Sequence, residues 1–138
     1  MKNAKKKWKK VATPQEVIDE AVQRGDWFSA FSNAVAYFEH WGYWRLSSYC
    51  IKEKIYAENK IKDLSVSTLA LILYLLKLID QNIYSKMSKT ILERNKLVHP
   101  VSRGMGITYR DTKDKDRAIE ILDDAKKCIK ELKLGILK

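Results

Sequence analysis

Within ERNKLVHP, positions 93–100, three residues have side chains suited to phosphodiester chemistry: Arg94, Asn95 and His99. Arginine is a permanent cation whose planar fork matches phosphate oxygens. Histidine exchanges a proton near neutral pH. An arginine that holds a phosphate beside a histidine that moves a proton suffices to cleave RNA without a metal ion. The ribose 2′-hydroxyl would be the nucleophile and a cyclic phosphate the product. Pro100 disfavours helical geometry at His99, which is therefore expected at or just past the last turn of a helix. The partial negative charge of a helix C-terminus there favours the imidazolium form. A single histidine near a helix end is more often structural, and His40, in mid-helix beside Trp41, takes that reading.

These residues need a helix to carry them, and residues 83–98 supply its pattern. At about 100° per residue, Ile83, Met87, Thr90, Ile91, Leu97 and Val98 fall on one arc. Arg94 lies near the middle of that arc, where an arginine is costly unless its guanidinium reaches a partner or a cleft. Lys86, Lys89, Glu93 and Lys96 gather on another arc, the expected solvated face. Tyr84, Ser88, Leu92, Asn95 and His99 form a third sector. Asn95 and His99, four apart, point the same way, and Arg94 projects about a quarter-turn from Asn95. The three can border one cleft.

The remaining chain reads as further helices. Thr13 caps a first helix, with Pro14 in its first turn, Glu16 at capping-box spacing and Gly25 as its stop. Asp26 caps a long second helix over residues 26–59. Its stripe of Trp27, Phe31, Ala34, Phe38, Trp41, Arg45 and Tyr49 reads as core rather than as a base-stacking platform, and Gly42 is a candidate bend. A third helix is expected over residues 65–79. Leu69, Ile72, Leu73 and Leu76 line one side of it, and Leu71, Leu75 and Leu78 the other. A helix apolar nearly all round must be covered on more than one face, and a second subunit is the natural cover in so short a chain. DQN, 80–82, breaks the chain before the fourth helix. After a polar connection, a last helix over residues 114–134 is amphipathic through Ala118, Ile121, Leu122, Ala125, Ile129 and Leu132. No segment alternates with period two. The expected fold is all-α, an antiparallel up-and-down bundle of four to five helices.

The 138 residues make one domain: a basic tail over 1–12, then a helical bundle over 13–138. Of the formal net charge of +10, six charges are Lys2, Lys5, Lys6, Lys7, Lys9 and Lys10, which leaves +4 for the body. The tail reads first as a solvated extension. Its alternative role is sequence-independent attraction of Lys5, Lys6, Lys7, Lys9 and Lys10 to RNA or DNA phosphates. Cys50 and Cys128 stand apart with no metal-ligand spacing and no disulfide framework, which points to a reducing cytoplasm. The lysines are followed by no apolar run of the signal-peptide kind. LALILYLLKLI, 69–79, is too short to span a bilayer, so no membrane role is expected.

RNKLVHP, with Arg94, the polar Asn95 beside it, and His99 after four intervening residues, resembles the HEPN superfamily (higher eukaryote and prokaryote nucleotide-binding domains). The order of helices agrees over roughly residues 13–134, while the specific likeness rests on these few residues. The resemblance implies a homodimer whose two motifs face each other across a cleft. It implies a metal-independent endoribonuclease without a cofactor, in some members the toxin of a toxin–antitoxin pair. Arg94 would hold the scissile phosphate, His99 act as general acid or base, and Asn95 orient either. RNA and an antitoxin or nucleotidyltransferase protein would be its partners. The alternative is a non-catalytic nucleotide- or partner-binding module, and a third reading is a helical interaction bundle. Toxins paired with a small nucleotidyltransferase carry a tyrosine two positions after the histidine. Here that position is Val101, and Tyr109 is too distant to replace it, so silencing by tyrosine modification is not expected.

Overall fold

A computed structural model describes residues 12–98 and 112–136. The lysine tail, His99, Val101 and Tyr109 lie outside the described residues, so the expectations placed on them are carried by the sequence alone.

Among the described residues six helices follow one another: α1 (Pro14–Gln23), α2 (Trp27–Lys52), α3 (Glu58–Ile61), α4 (Val66–Leu75), α5 (Gln81–Val98) and α6 (Thr112–Ile136). No strand occurs among the described residues. The architecture is an all-helical bundle, with α3 a single turn in a connection. α2 is the central element and packs against each of the other five. Glu93 near the end of α5 meets Arg117 near the start of α6, so these two run antiparallel.

Capping residues set where the helices begin. Thr13 Oγ1 accepts from the Glu16 amide at 3.1 Å, Asp26 Oδ1 from Ser29 at 3.1 Å, and Ser65 Oγ from Thr68 at 3.2 Å. Asp80 Oδ1 accepts from the Ile83 amide at 2.8 Å. Each satisfies an amide that has no partner inside the helix.

Where helices stop differs from the sequence expectation at two places, for one reason. α1 ends as expected, with Gly25 at φ 72 and the Asp26 amide donating to Ala21 O at 2.8 Å. α2 stops at Lys52 rather than at residue 59. There Lys54 takes φ 57, and the Ile55 amide donates to Cys50 O at 2.8 Å. α4 stops at Leu75 rather than at residue 79, with Lys77 at φ 61 and the Leu78 amide donating to Leu73 O at 2.9 Å. All three ends carry the paired hydrogen bonds of the Schellman motif, which needs one left-handed residue. Glycine advertises that geometry in a sequence and lysine does not. The early stop also turns Leu78 back against the core instead of leaving it beside Leu71 and Leu75. In consequence α5 starts at Gln81, two residues before the expected Ile83.

The aromatic stripe of α2 is core. Phe31, Ala34 and Phe38 are fully buried, Trp41 is nearly so, and Trp27 and Tyr49 pack partly against them. Ile18 from α1, Leu69 and Leu73 from α4, Met87 from α5, and Leu122 and Ile129 from α6 complete the interior. Each such side chain contributes roughly 1.5–3 kcal/mol of apolar burial. Gly42 is a place of close approach: a Cβ there would sit 2.7 Å from Leu69 Cδ2. Its missing side chain lets α4 lie against α2.

α6 buries Ala118, Leu122, Ala125, Ile129 and Leu132 as its pattern requires, with Ile121 partly covered. The two-sided leucine pattern of α4 divides. Leu69 and Leu73 are buried, whereas Leu71 is 42% and Leu75 66% exposed. No described helix is long and apolar enough to cross a membrane.

Candidate functional site at the end of α5

Arg94 and Asn95 occupy the last turn of α5. Met87, Thr90 and Ile91, one turn earlier, are buried, but Arg94 and Leu97 are only half-buried. The helical wheel placed Arg94 at the right angle, in line with the apolar arc. It could not show that the bundle opens at this level. Position along the axis therefore spares the guanidinium the full cost of burial.

The Arg94 side chain turns to its neighbour on the same helix, its Nε donating to Asn95 Oδ1 at 2.9 Å. Neighbours in a helix do not ordinarily face each other; arginine's length closes the gap. The bond uses the inner nitrogen of the fork. The two terminal nitrogens have no hydrogen-bond or ion-pair partner among the described residues. A guanidinium held at Nε with both terminal nitrogens unengaged is suited to bidentate capture of a phosphate or carboxylate. Asn95 is thus placed to orient the arginine. His99, the third residue of the motif, lies outside the described residues.

Glu93 corrects the sequence reading. Its place among Lys86, Lys89 and Lys96 marked it as solvated, yet it is 2% exposed. Arg117 Nη1 donates to its Oε1 at 2.6 Å, Arg117 Nη2 to its Oε2 at 3.4 Å, and Lys96 Nζ to Oε1 at 3.2 Å. The cause is α6, which lies against this flank of α5 and covers it. A buried carboxylate is tolerable only when its charge is matched in this way. The single-helix pattern held no signal for the pair, because the partner is contributed by another helix 24 positions along the chain.

Beside the pair runs a groove of about 330 Å³ between α5 and α6. Lys89, Lys96 and Arg117 line it together with Glu93, Glu120 and Asp124. Lys96 and Arg117 are already engaged by Glu93, which makes this groove a poor anion site. Arg94 is not among the residues lining it.

No family model, curated protein or solved structure matches this chain. The site must be read from its own geometry. Among the described residues no three His, Cys, Asp or Glu side chains assemble as a potential metal site. Cys50 and Cys128 are both buried free thiols. Burial pushes the Cys128 thiol up to about 12, with the Glu131 charge adding to the effect. It is the reverse of an activated cysteine.

Proposed function

We propose that this chain is a metal-independent endoribonuclease of the HEPN type, acting as a homodimer whose two motifs form a composite site. The observation that supports it most is the hydrogen bond from Arg94 to Asn95. It holds the guanidinium at Nε and leaves its two terminal nitrogens without a partner among the described residues, five positions before His99.

In this reading Arg94 binds the non-bridging oxygens of the scissile phosphate and stabilises the charge that grows on them. One histidine acts as general base and takes the proton of the ribose 2′-hydroxyl. The 2′-oxygen then bonds to phosphorus and the bond to the 5′-oxygen breaks. Protonation of that leaving oxygen by a general acid completes the step and leaves a 2′,3′-cyclic phosphate and a 5′-hydroxyl. Two copies of His99, one from each protomer, would supply both roles. Asn95 keeps Arg94 in register. The lysine tail adds salt-sensitive affinity for RNA without regard to sequence.

Dimerisation is favoured by the two exposed leucines of α4. Leu71 and Leu75, four apart, are large apolar side chains left exposed on the outer face of α4. The same face supports a second reading, a non-catalytic module that binds a protein partner such as an antitoxin or nucleotidyltransferase.

The test is to incubate the purified chain with mixed cellular RNA in the presence of a chelator. Wild type is expected to cleave, and Arg94→Ala and His99→Ala each to lose about 100-fold or more of the rate, the scale of a removed charge stabiliser or proton carrier. Intact RNA with all three proteins, or cleavage abolished by the chelator, refutes the ribonuclease mechanism. A stable complex with another protein, without cleavage, favours the second reading.

A further inference from the structure

On the outer side of α2 lies an open hollow of about 800 Å³ that shares no residue with the Arg94 motif. Its volume falls within the range of roughly 300–1,000 Å³ typical of small-ligand sites. Tyr37, His40, Trp41 and Trp44, at helical three- and four-residue steps, form one wall. Lys62, in the connection between α3 and α4, forms the rim. That connection is tied down by Tyr43, whose hydroxyl bonds Leu64 O at 2.9 Å and reaches Lys62 O at 3.3 Å. The hollow is therefore built by packing and hydrogen bonds.

Two features there are left unexplained by folding. Trp44 is 47% exposed, an indole spread over solvent beside a nearly buried Trp41, with ring centroids 6.4 Å apart and planes tilted by 55°. Trp41 Nε1 is buried and has no hydrogen-bond partner among the described residues. An unpaired buried N–H is destabilising, and native proteins hold few of them. An exposed aromatic face, an unsatisfied donor and a cation on the rim are what a planar heterocycle with a ring acceptor and an attached phosphate requires. Glu39, also on the lining, supplies an acceptor for an exocyclic amine.

We propose that this hollow binds one unpaired nucleobase of an RNA strand, stacked on Trp44 with its ring acceptor on Trp41 Nε1 and its phosphate on Lys62. Because Trp41 Nε1 is buried in the free chain, the proposal requires the Trp41 indole to turn toward the hollow when the base binds. The choice of an RNA strand as the carrier of the base rests on the ribonuclease reading; the pocket chemistry does not. The site would hold a strand at a point separate from the cleaved phosphate.

The experiment titrates the full chain with adenosine 5′-monophosphate, with adenosine, and with a short single-stranded oligoadenylate, following tryptophan fluorescence and heat. Saturable quenching by the mononucleotide and the oligomer is expected. Trp44→Leu should weaken both by about 5- to 100-fold, the range expected for one lost base–aromatic stack. Lys62→Gln, a surface change that leaves the aromatic wall intact, should weaken the monophosphate while leaving adenosine unchanged. Adenosine, which offers Arg94 no phosphate, should quench Arg94→Ala as it does wild type.

Absence of saturable mononucleotide binding overturns the proposal, as does a Trp44→Leu variant that binds like wild type. Loss of mononucleotide binding on Arg94→Ala alone would place the ligand at the α5 motif and also overturn it. Naphthalene, which lacks any acceptor, binding as tightly as the nucleotide would show a merely apolar hollow and overturn it too. Nucleotide binding retained in a chain that cleaves no RNA would refute the ribonuclease reading while supporting this site.

Discussion

Removing Arg117 tests whether a buried ion pair anchors the end of α5. In Arg117→Ala, the Glu93 carboxylate, 3% exposed in its side chain, loses its shortest ion-pair contact, the 2.6 Å bond. Stranding a buried carboxylate costs about 3–5 kcal/mol when nothing compensates. Two observations reduce that figure here. Lys96 Nζ remains 3.2 Å from the same carboxylate oxygen. The Arg117 side chain is 46% exposed, so water can enter the space it vacates. Discounted for that screening, the loss should be about 2 kcal/mol.

Glu93→Gln should cost less, about 1 kcal/mol, because it removes the buried charge and strands only cations that can reach solvent. The asymmetry between the two variants is the diagnostic. Urea unfolding at neutral pH, followed by helical circular dichroism, measures it. For Arg117→Ala, thermal unfolding should shift by roughly 8 °C, from the usual few degrees per kcal/mol for a domain of this size. Equal costs in both variants, or a loss below about 0.5 kcal/mol for Arg117→Ala, would refute the reasoning and class the pair with ordinary surface bridges.

Two further perturbations follow from the fold. Lys77 holds a left-handed conformation that strains a side chain by roughly 1 kcal/mol, so Lys77→Gly should stabilise the protein by about 0.5–1 kcal/mol in the same urea assay; a destabilised variant would show that the lysine side chain has a role of its own. Cys128 is held neutral in the fold, its thiol raised from 9.0 to about 12, so the unfolded chain loses this proton first as pH rises. The stability it confers is complete below pH 9 and is lost progressively toward pH 12. Burial raises Tyr37 as well, so the comparison that isolates the thiol is Cys128→Ala, whose stability should fall less steeply across that window. An unchanged slope would refute the assignment.

The sequence by itself determined the helical class, because its apolar residues recur at three- and four-residue steps and nowhere alternate. It also determined where α1, α2 and α4 start, since Thr13, Asp26 and Ser65 are local signals acting on amides three positions ahead. It placed Arg94 and Asn95 together in the last turn of α5, because residues that close on one helix need no tertiary information to be neighbours. Helix ends were legible only where glycine stood. Lys54 and Lys77 do the same work without the signature, since their left-handed geometry is imposed by packing of the following segment rather than by their own preference.

Tertiary structure alone decided which charge is buried. Angle about the α5 axis favoured Arg94, but burial depends also on axial position and on which neighbouring helix lies alongside. The bundle opens at Arg94, and α6 closes over Glu93. Only the folded chain brings Arg117 to that carboxylate and Lys62 to the aromatic wall of α2, because each partner arrives from a different helix or connection. A pattern read along one helix registers direction; the contacts that give the direction its energy come from elsewhere in the chain.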